Sequence, residues 1–156
     1  MRITDALLGE HGVINLLLDH VSRRAAGWNL DQAREVCASL AAMLGPHTAT
    51  EERLLFEPLE RALGYEPMPL AVLRLEHEAL DALLTFVSSA TSLEELAPKF
   101  DQLVELVGDH IAKEEGILIP LAVRSLDRDT LTRLGSRWAE SRRVEAGACP
   151  ASDAGQ

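Results

Sequence analysis

His47-x-x-x-Glu51 and His110-x-x-x-Glu114 are one arrangement written twice, in PHTATEERLLFEPL and DHIAKEEGILIPL. Each sets an imidazole and a carboxylate four residues apart, and on an α-helix such residues share a face with Cβ atoms roughly 5–6 Å apart. Both side chains can then converge on one ion or on two adjacent ions, which is metal-ligand chemistry. Two such helices facing each other could enclose a dinuclear centre.

A second phrase is also repeated. Glu10-His11-x-x-Ile14-x-x-Leu17-Leu18-x-x-Val21 returns as Glu76-His77-x-x-Leu80-x-x-Leu83-Leu84-x-x-Val87. His11 to His77 is a shift of 66 positions and His47 to His110 a shift of 63, so the chain reads as two copies of one helical hairpin. A pseudo-twofold bundle with one histidine per helix follows.

Four helices must position these groups. The first is expected from about Thr4 to Ala26, with Thr4 or Asp5 near its N-cap, Gly27 at its end and an inward stripe of Leu7, His11, Ile14, Leu18 and Val21. The second starts at Asn29 or Asp31 and carries Cys37, Leu40, Leu44, His47, Glu51 and Leu54 toward Leu63 and the turn Gly64-Tyr65. Gly45-Pro46 interrupts it, and an interior proline costs a hydrogen bond and about 3 kcal/mol. The stripe keeps its register across the interruption, which predicts a kinked helix rather than a loop.

The third helix starts near Pro69 or Leu70, since proline suits a first turn, and carries Leu70, Leu73, His77, Leu80, Leu84 and Val87. Ser92-Leu93-Glu94-Glu95 has capping-box spacing and opens the fourth, with Phe100, Leu103, Val107, His110, Glu114, Ile117 and Leu121 inward. A fifth helix, about Asp129 to Val144, with Leu131, Leu134 and Trp138 on one stripe, is expected to cover an end or side of the bundle. Residues 1–145 are thus expected to form one domain and 146–156 a disordered tail. The fold class is all-α, an up-down-up-down four-helix bundle with an additional C-terminal helix.

Composition agrees and excludes other classes. The chain has 156 residues, enough for one staple-free domain, and its 4% aromatic and 47% hydrophobic content favours a core of Leu, Ala and Val in helices. A formal net charge of −10 argues against nucleic acid, whose phosphates require clustered Lys and Arg. Arg133, Arg137, Arg142 and Arg143 read as the solvated face of the last helix. Two cysteines, Cys37 in an apolar stretch and Cys149 in the tail, make no disulfide framework. With no secretory signal and no run of about 18 apolar residues, no membrane partner is expected, and a cytoplasmic monomer or homodimer is.

A single histidine on an apolar stripe is more often a hydrogen-bonded core residue than a ligand. Here four of five histidines fall on four separate stripes, and two stripes add a glutamate for which no stripe Lys or Arg is available. A buried carboxylate is costly unless paired or metal-bound, so a metal explains the pattern most economically. Nitrogen and oxygen donors without thiolate match a di-iron or di-manganese carboxylate centre. Structural zinc, which usually takes four ligands and often thiolates, fits less well than iron. Glu10, Glu52, Glu76 and Glu115 flank these residues about 100° round their helices and are expected to be solvated, as is His20. Trp28 and Tyr65 fall in turns and are expected to pack.

The order His, His-x-x-x-Glu, His, His-x-x-x-Glu on successive helices resembles the hemerythrin-like (HHE) family over about Thr4 to Arg124. The match includes the Glu51-Glu52 and Glu114-Glu115 pairs and the stretches Leu55-Phe56-Glu57-Pro58 and Leu118-Ile119-Pro120. The resemblance implies metal ligands His11, His47, Glu51, His77, His110 and Glu114, with both glutamates bridging two iron ions (Fe2+/Fe3+) and a bridging oxo or hydroxo group. Manganese or zinc ranks behind iron.

Oxygen-carrying hemerythrins add a fifth histidine on the third helix and use an aspartate at a longer spacing on the fourth, and this chain has neither. One turn from His77 stand Leu73 and Asp81, so the extra ligand is missing or is Asp81; Asp81 and its repeat partner Asn15 are alternatively hydrogen-bond partners of the ligands. The resemblance then implies five-coordinate irons with an open position, and so a non-haem di-iron protein that binds, senses or turns over O2, peroxide or nitric oxide. The competing expectation is an iron-sensing or metal-free helical interaction bundle without catalysis.

Overall fold

In the computed structural model, residues 1–144 are described; the tail expected at 146–156, with Cys149, lies outside them. Among the described residues every regular element is helical. Helix α1 spans Ile3–Ser22 and a 3-10 turn, Ala25–Gly27, ends the first rod. The second rod is α2 (Leu30–Glu51), a π-helical turn (Glu52–Phe56) and α3 (Glu57–Leu63). The third is α4 (Met68–Ser89); the fourth is α5 (Leu93–Lys113), a second π turn (Glu114–Leu118) and α6 (Ile119–Ser125); and α7 (Arg128–Arg142) is the fifth. Short connections make consecutive bundle rods antiparallel. No described helix is long and apolar enough to cross a membrane.

Local chemistry sets the ends of these rods. Asn29 caps α2, accepting from the Gln32 N–H at 2.9 Å while Gln32 accepts from the Asn29 N–H at 3.0 Å. Ser92 caps α5 at 3.2 Å, but Glu95 completes the expected box one residue early, on the Thr91 N–H at 3.1 Å. Asp127 caps α7, accepting from the Thr130 N–H at 2.8 Å, two residues ahead of the start expected at Asp129. Gly64, at φ 77°, closes α3 in the left-handed region that glycine adopts without penalty. The second rod continues as helix through Pro46, and α5 through Pro98.

The stripes hold except where a π turn intervenes. A π turn carries one extra residue, so beyond Glu114 the inward position moves from Ile117, which is 48% exposed, to Leu118, which is fully buried. Ile117 is therefore not a core residue as its spacing implied. The core falls into two apolar clusters. One gathers Ile14, Leu18, Cys37, Leu40, Leu80, Leu84, Leu103 and Val107; the other gathers Leu7, Leu54, Phe56, Leu59, Leu70, Leu118 and, from α7, Leu131 and Leu134. Fully burying one such leucine stabilises the fold by about 1.5–3 kcal/mol.

Helix α7 lies along α1, and Gly135 is what lets it come close. A Cβ there would collide with the Met1 carbonyl oxygen and stand 2.9 Å from the Arg2 carbonyl carbon. Trp28 packs edge-on against Phe100 with ring centroids 5.5 Å apart, whereas Tyr65 is exposed.

Candidate metal centre

The polar buried residues His11, His47, Glu51, His77, His110 and Glu114 all sit on the inward stripes of the four bundle rods, and each is at most 5% exposed. The stripe that makes a bundle core has placed imidazole and carboxylate where leucine would otherwise sit. All six side chains converge. Donor atoms of His11, His47, Glu51 and Glu114 lie within 4.8 Å of one another, and those of His77, His110, Glu51 and Glu114 do the same. The two glutamates belong to both groups.

Each carboxylate divides its oxygens between the two histidine pairs. Glu51 turns Oε1 to His11 Nε2 (3.6 Å) and His47 Nε2 (3.3 Å), and Oε2 to His77 Nε2 (3.6 Å). Glu114 turns Oε2 to His11 Nε2 (3.2 Å) and Oε1 to His110 Nε2 (3.2 Å). The His11 and His47 rings are 5.1 Å apart, and the His77 and His110 rings 4.8 Å.

Behind each imidazole stands a glutamate. His47 Nδ1 faces Glu10 at 2.8 Å, His110 faces Glu76 at 2.9 Å, His77 faces Glu52 at 2.9 Å and His11 faces Glu115 at 3.2 Å. A carboxylate accepts, so each Nδ1–H donates and each neutral ring presents a bare Nε2 lone pair to the interior. Glu10, Glu52, Glu76 and Glu115 are therefore not merely solvated, as their 100° offset implied: each reaches across to the histidine of a neighbouring rod. The signal was in the sequence, in the Glu-His and Glu-Glu doublets that repeat with the ligands.

Electrostatics follow from this frame. Burial pushes the His11 imidazole down, but the facing charges of Glu114 and Glu51 outweigh it and carry it up to about 10. Burial likewise pushes His77 and His110 down, but Glu51 and Glu52 raise the first and Glu114 and Glu76 the second. Burial pushes Glu114 up, and the facing imidazoles of His11 and His110 hold it well below the ordinary carboxylate range. Glu10 is held at about 2, because contacts from His47 and Arg142 overcome its burial.

These residues fit a cation. Both carboxylate oxygens of Glu51 and Glu114, with Nε2 of His11 and His47, are buried without a hydrogen-bond partner; each such group costs about 1–3 kcal/mol, more when charged. His77 Nε2 and His110 Nε2 confront each other at 3.1 Å, two lone pairs with no proton between them in the tautomers the glutamates select. Positive charge among them resolves every one of these contacts.

Other candidates fall away. Asp81 and Asn15 are exposed and outside the cluster, which removes Asp81 both as a ligand and as a hydrogen-bond partner of one. Cys37 is buried in the apolar cluster with its thiol pushed up to about 11 by burial, so it offers no thiolate. His20 is exposed.

The family pattern described as the hemerythrin HHE cation binding domain matches residues 2–122. The chain belongs to that family. It is also similar to an uncharacterized hemerythrin-like protein of Schizosaccharomyces pombe, 26% identical over 144 residues that cover 91% of this chain and 70% of that protein. No solved structure matches the chain. As a hemerythrin-like domain it carries His/Glu groups that could hold a metal cation, and α7 lies beyond the matched residues.

Proposed function

We propose that this hemerythrin-like chain is a non-haem di-iron protein that binds, senses or turns over O2, peroxide or nitric oxide. One observation carries the reading: two groups of donors share the same two carboxylates, whose oxygens are split between the histidine pairs and are otherwise unpartnered. His11 and His47 would hold one ion, His77 and His110 the other, with Glu51 and Glu114 common to both. Imidazole nitrogen and carboxylate oxygen without thiolate suit iron. When bound, iron would supply a redox-active, Lewis-acidic centre for a small ligand.

The protein's part is to select tautomers, supply negative charge and keep bulk water out. A cavity of about 860 Å³ between α1, α2 and α7, lined by Ala6, Val13, Ile14, Leu17, Met43 and Trp138, also has His47 in its wall. Its mainly apolar wall favours a small neutral molecule over an ion. Iron-loaded protein is expected to change its visible spectrum with peroxide or nitric oxide in proportion to bound iron, and turnover of peroxide separates an enzyme from a sensor. Bound iron with no spectral response to any of these molecules contradicts the reading, and a chain indifferent to iron supports the metal-free interaction bundle instead.

A further inference from the structure

The two halves of the cage are not equivalently supported. Behind the histidines of the second repeat, Glu76, which holds His110, is itself met by Lys113 Nζ at 2.5 Å, and Glu52, which reaches over from the first repeat to hold His77, is met by Arg74 at 3.3 Å. The repeat shifts place Thr50 where the second copy has Lys113 (113 − 63 = 50) and Leu8 where it has Arg74 (74 − 66 = 8). The first copy thus lacks both cations. Glu115, behind His11, is 44% exposed, but Glu10, behind His47, is 19% exposed.

A residue from outside the duplicated unit fills one gap. Arg142, in the last turn of α7, donates from Nε to Glu10 Oε1 at 2.6 Å and from Nη2 to the Pro46 carbonyl at 3.1 Å. It therefore grips both the carboxylate that fixes the His47 ring and the backbone of the residue preceding His47. Arg142 is only 22% exposed at its side chain, so it does not belong to the solvated face of Arg133, Arg137 and Arg143, which are exposed.

We infer that Arg142 is a positioning residue for the metal centre: α7 supplies through it the cation that the first repeat lacks, and the ion position held by His11 and His47 depends on the Arg142–Glu10 contact while the His77–His110 position, braced by Lys113 and Arg74, does not. This rests on the di-iron reading. Partners that orient a ligand histidine typically change metal affinity about 10–100-fold, and the loss should fall on one position only.

The test is an anaerobic ferrous-ion titration of the full chain against a competing chelator, for wild type, Arg142→Ala, Glu10→Gln and the double variant, with helicity followed by circular dichroism. Expected are two tight ions in wild type, and in Arg142→Ala one unchanged and one weakened about 10-fold or more at unaltered helicity. Glu10→Gln should reproduce the loss, and the double variant should add little, because the residues act through one contact chain. Lys113→Ala should weaken the other position. Two equally tight ions in Arg142→Ala, equal weakening of both, or additive losses in the double variant overturn the inference alone. A wild-type chain that binds no ferrous ion overturns the di-iron reading and this inference with it.

Discussion

Glu52 and His77 come from different copies of the duplicated hairpin, and they meet at 2.9 Å. Their repeat equivalents, Glu115 and His11, meet at 3.2 Å, so each copy orients a histidine of the other. Glu10–His47 and Glu76–His110 make the same contact within a copy. The cage is a cross-braced object that neither hairpin completes alone.

Sharing makes a carboxylate and a histidine of the cage unequal under mutation. Glu51 faces three of the histidines, so Glu51→Ala is expected to remove both ions. His110→Ala, which touches the second group only, should leave one. Metal analysis after gel filtration checks this, and one ion retained by Glu51→Ala counts against shared carboxylates.

Metal removal should lower thermal stability. A ligand bound only by the folded chain at 100 times its dissociation constant stabilises by about 2.7 kcal/mol, which for a chain of this size is about 5–10 °C in Tm. Scanning calorimetry with and without chelator measures it. An unchanged Tm would mean that nothing stabilising had been taken away.

Acid and alkali should act oppositely on the two forms. His11 rises from its ordinary 6.5 to about 10 in the metal-free cage, so the stability it contributes is complete below about pH 6.5 and is lost as pH climbs through 10. Ions require neutral imidazoles and bind more tightly over the same rise. The Tm gap between loaded and metal-free protein is therefore expected to widen from pH 6 to pH 9. A gap that narrows contradicts the assignment of these imidazoles.

Gly135→Ala sets two effects against each other. Alanine is favoured over glycine inside a helix by about 1 kcal/mol, but its Cβ would strike the backbone at Met1 and Arg2, and overpacking costs about 1–3 kcal/mol. Backbone yields less readily than a flexible side chain, so the variant should melt lower than wild type. A higher Tm would show that the N-terminal residues simply move aside.

Much of this is legible in the sequence alone. Stripes of Leu, Val and His at three- and four-residue spacing gave the rods, and repetition of the His-x-x-x-Glu phrase gave the inward groups. What spacing could not reveal was the effect of the π turns: the extra residue after Glu114 buries Leu118 and exposes Ile117, because register counted at 3.6 residues per turn fails across a wider turn. Neither could it place Glu10, whose 100° offset from His11 points it away from its own neighbour and toward His47 on the next rod. Arg142 was the least legible, since its partner lies 132 residues away.

The most direct measurement is the number of ions per chain. Protein loaded with ferrous iron without oxygen and freed of excess metal should hold two irons per chain, and should hold none once Glu51 and Glu114 are both replaced by alanine. A wild-type chain with no iron, or a double variant that keeps two, contradicts a centre built on those shared carboxylates.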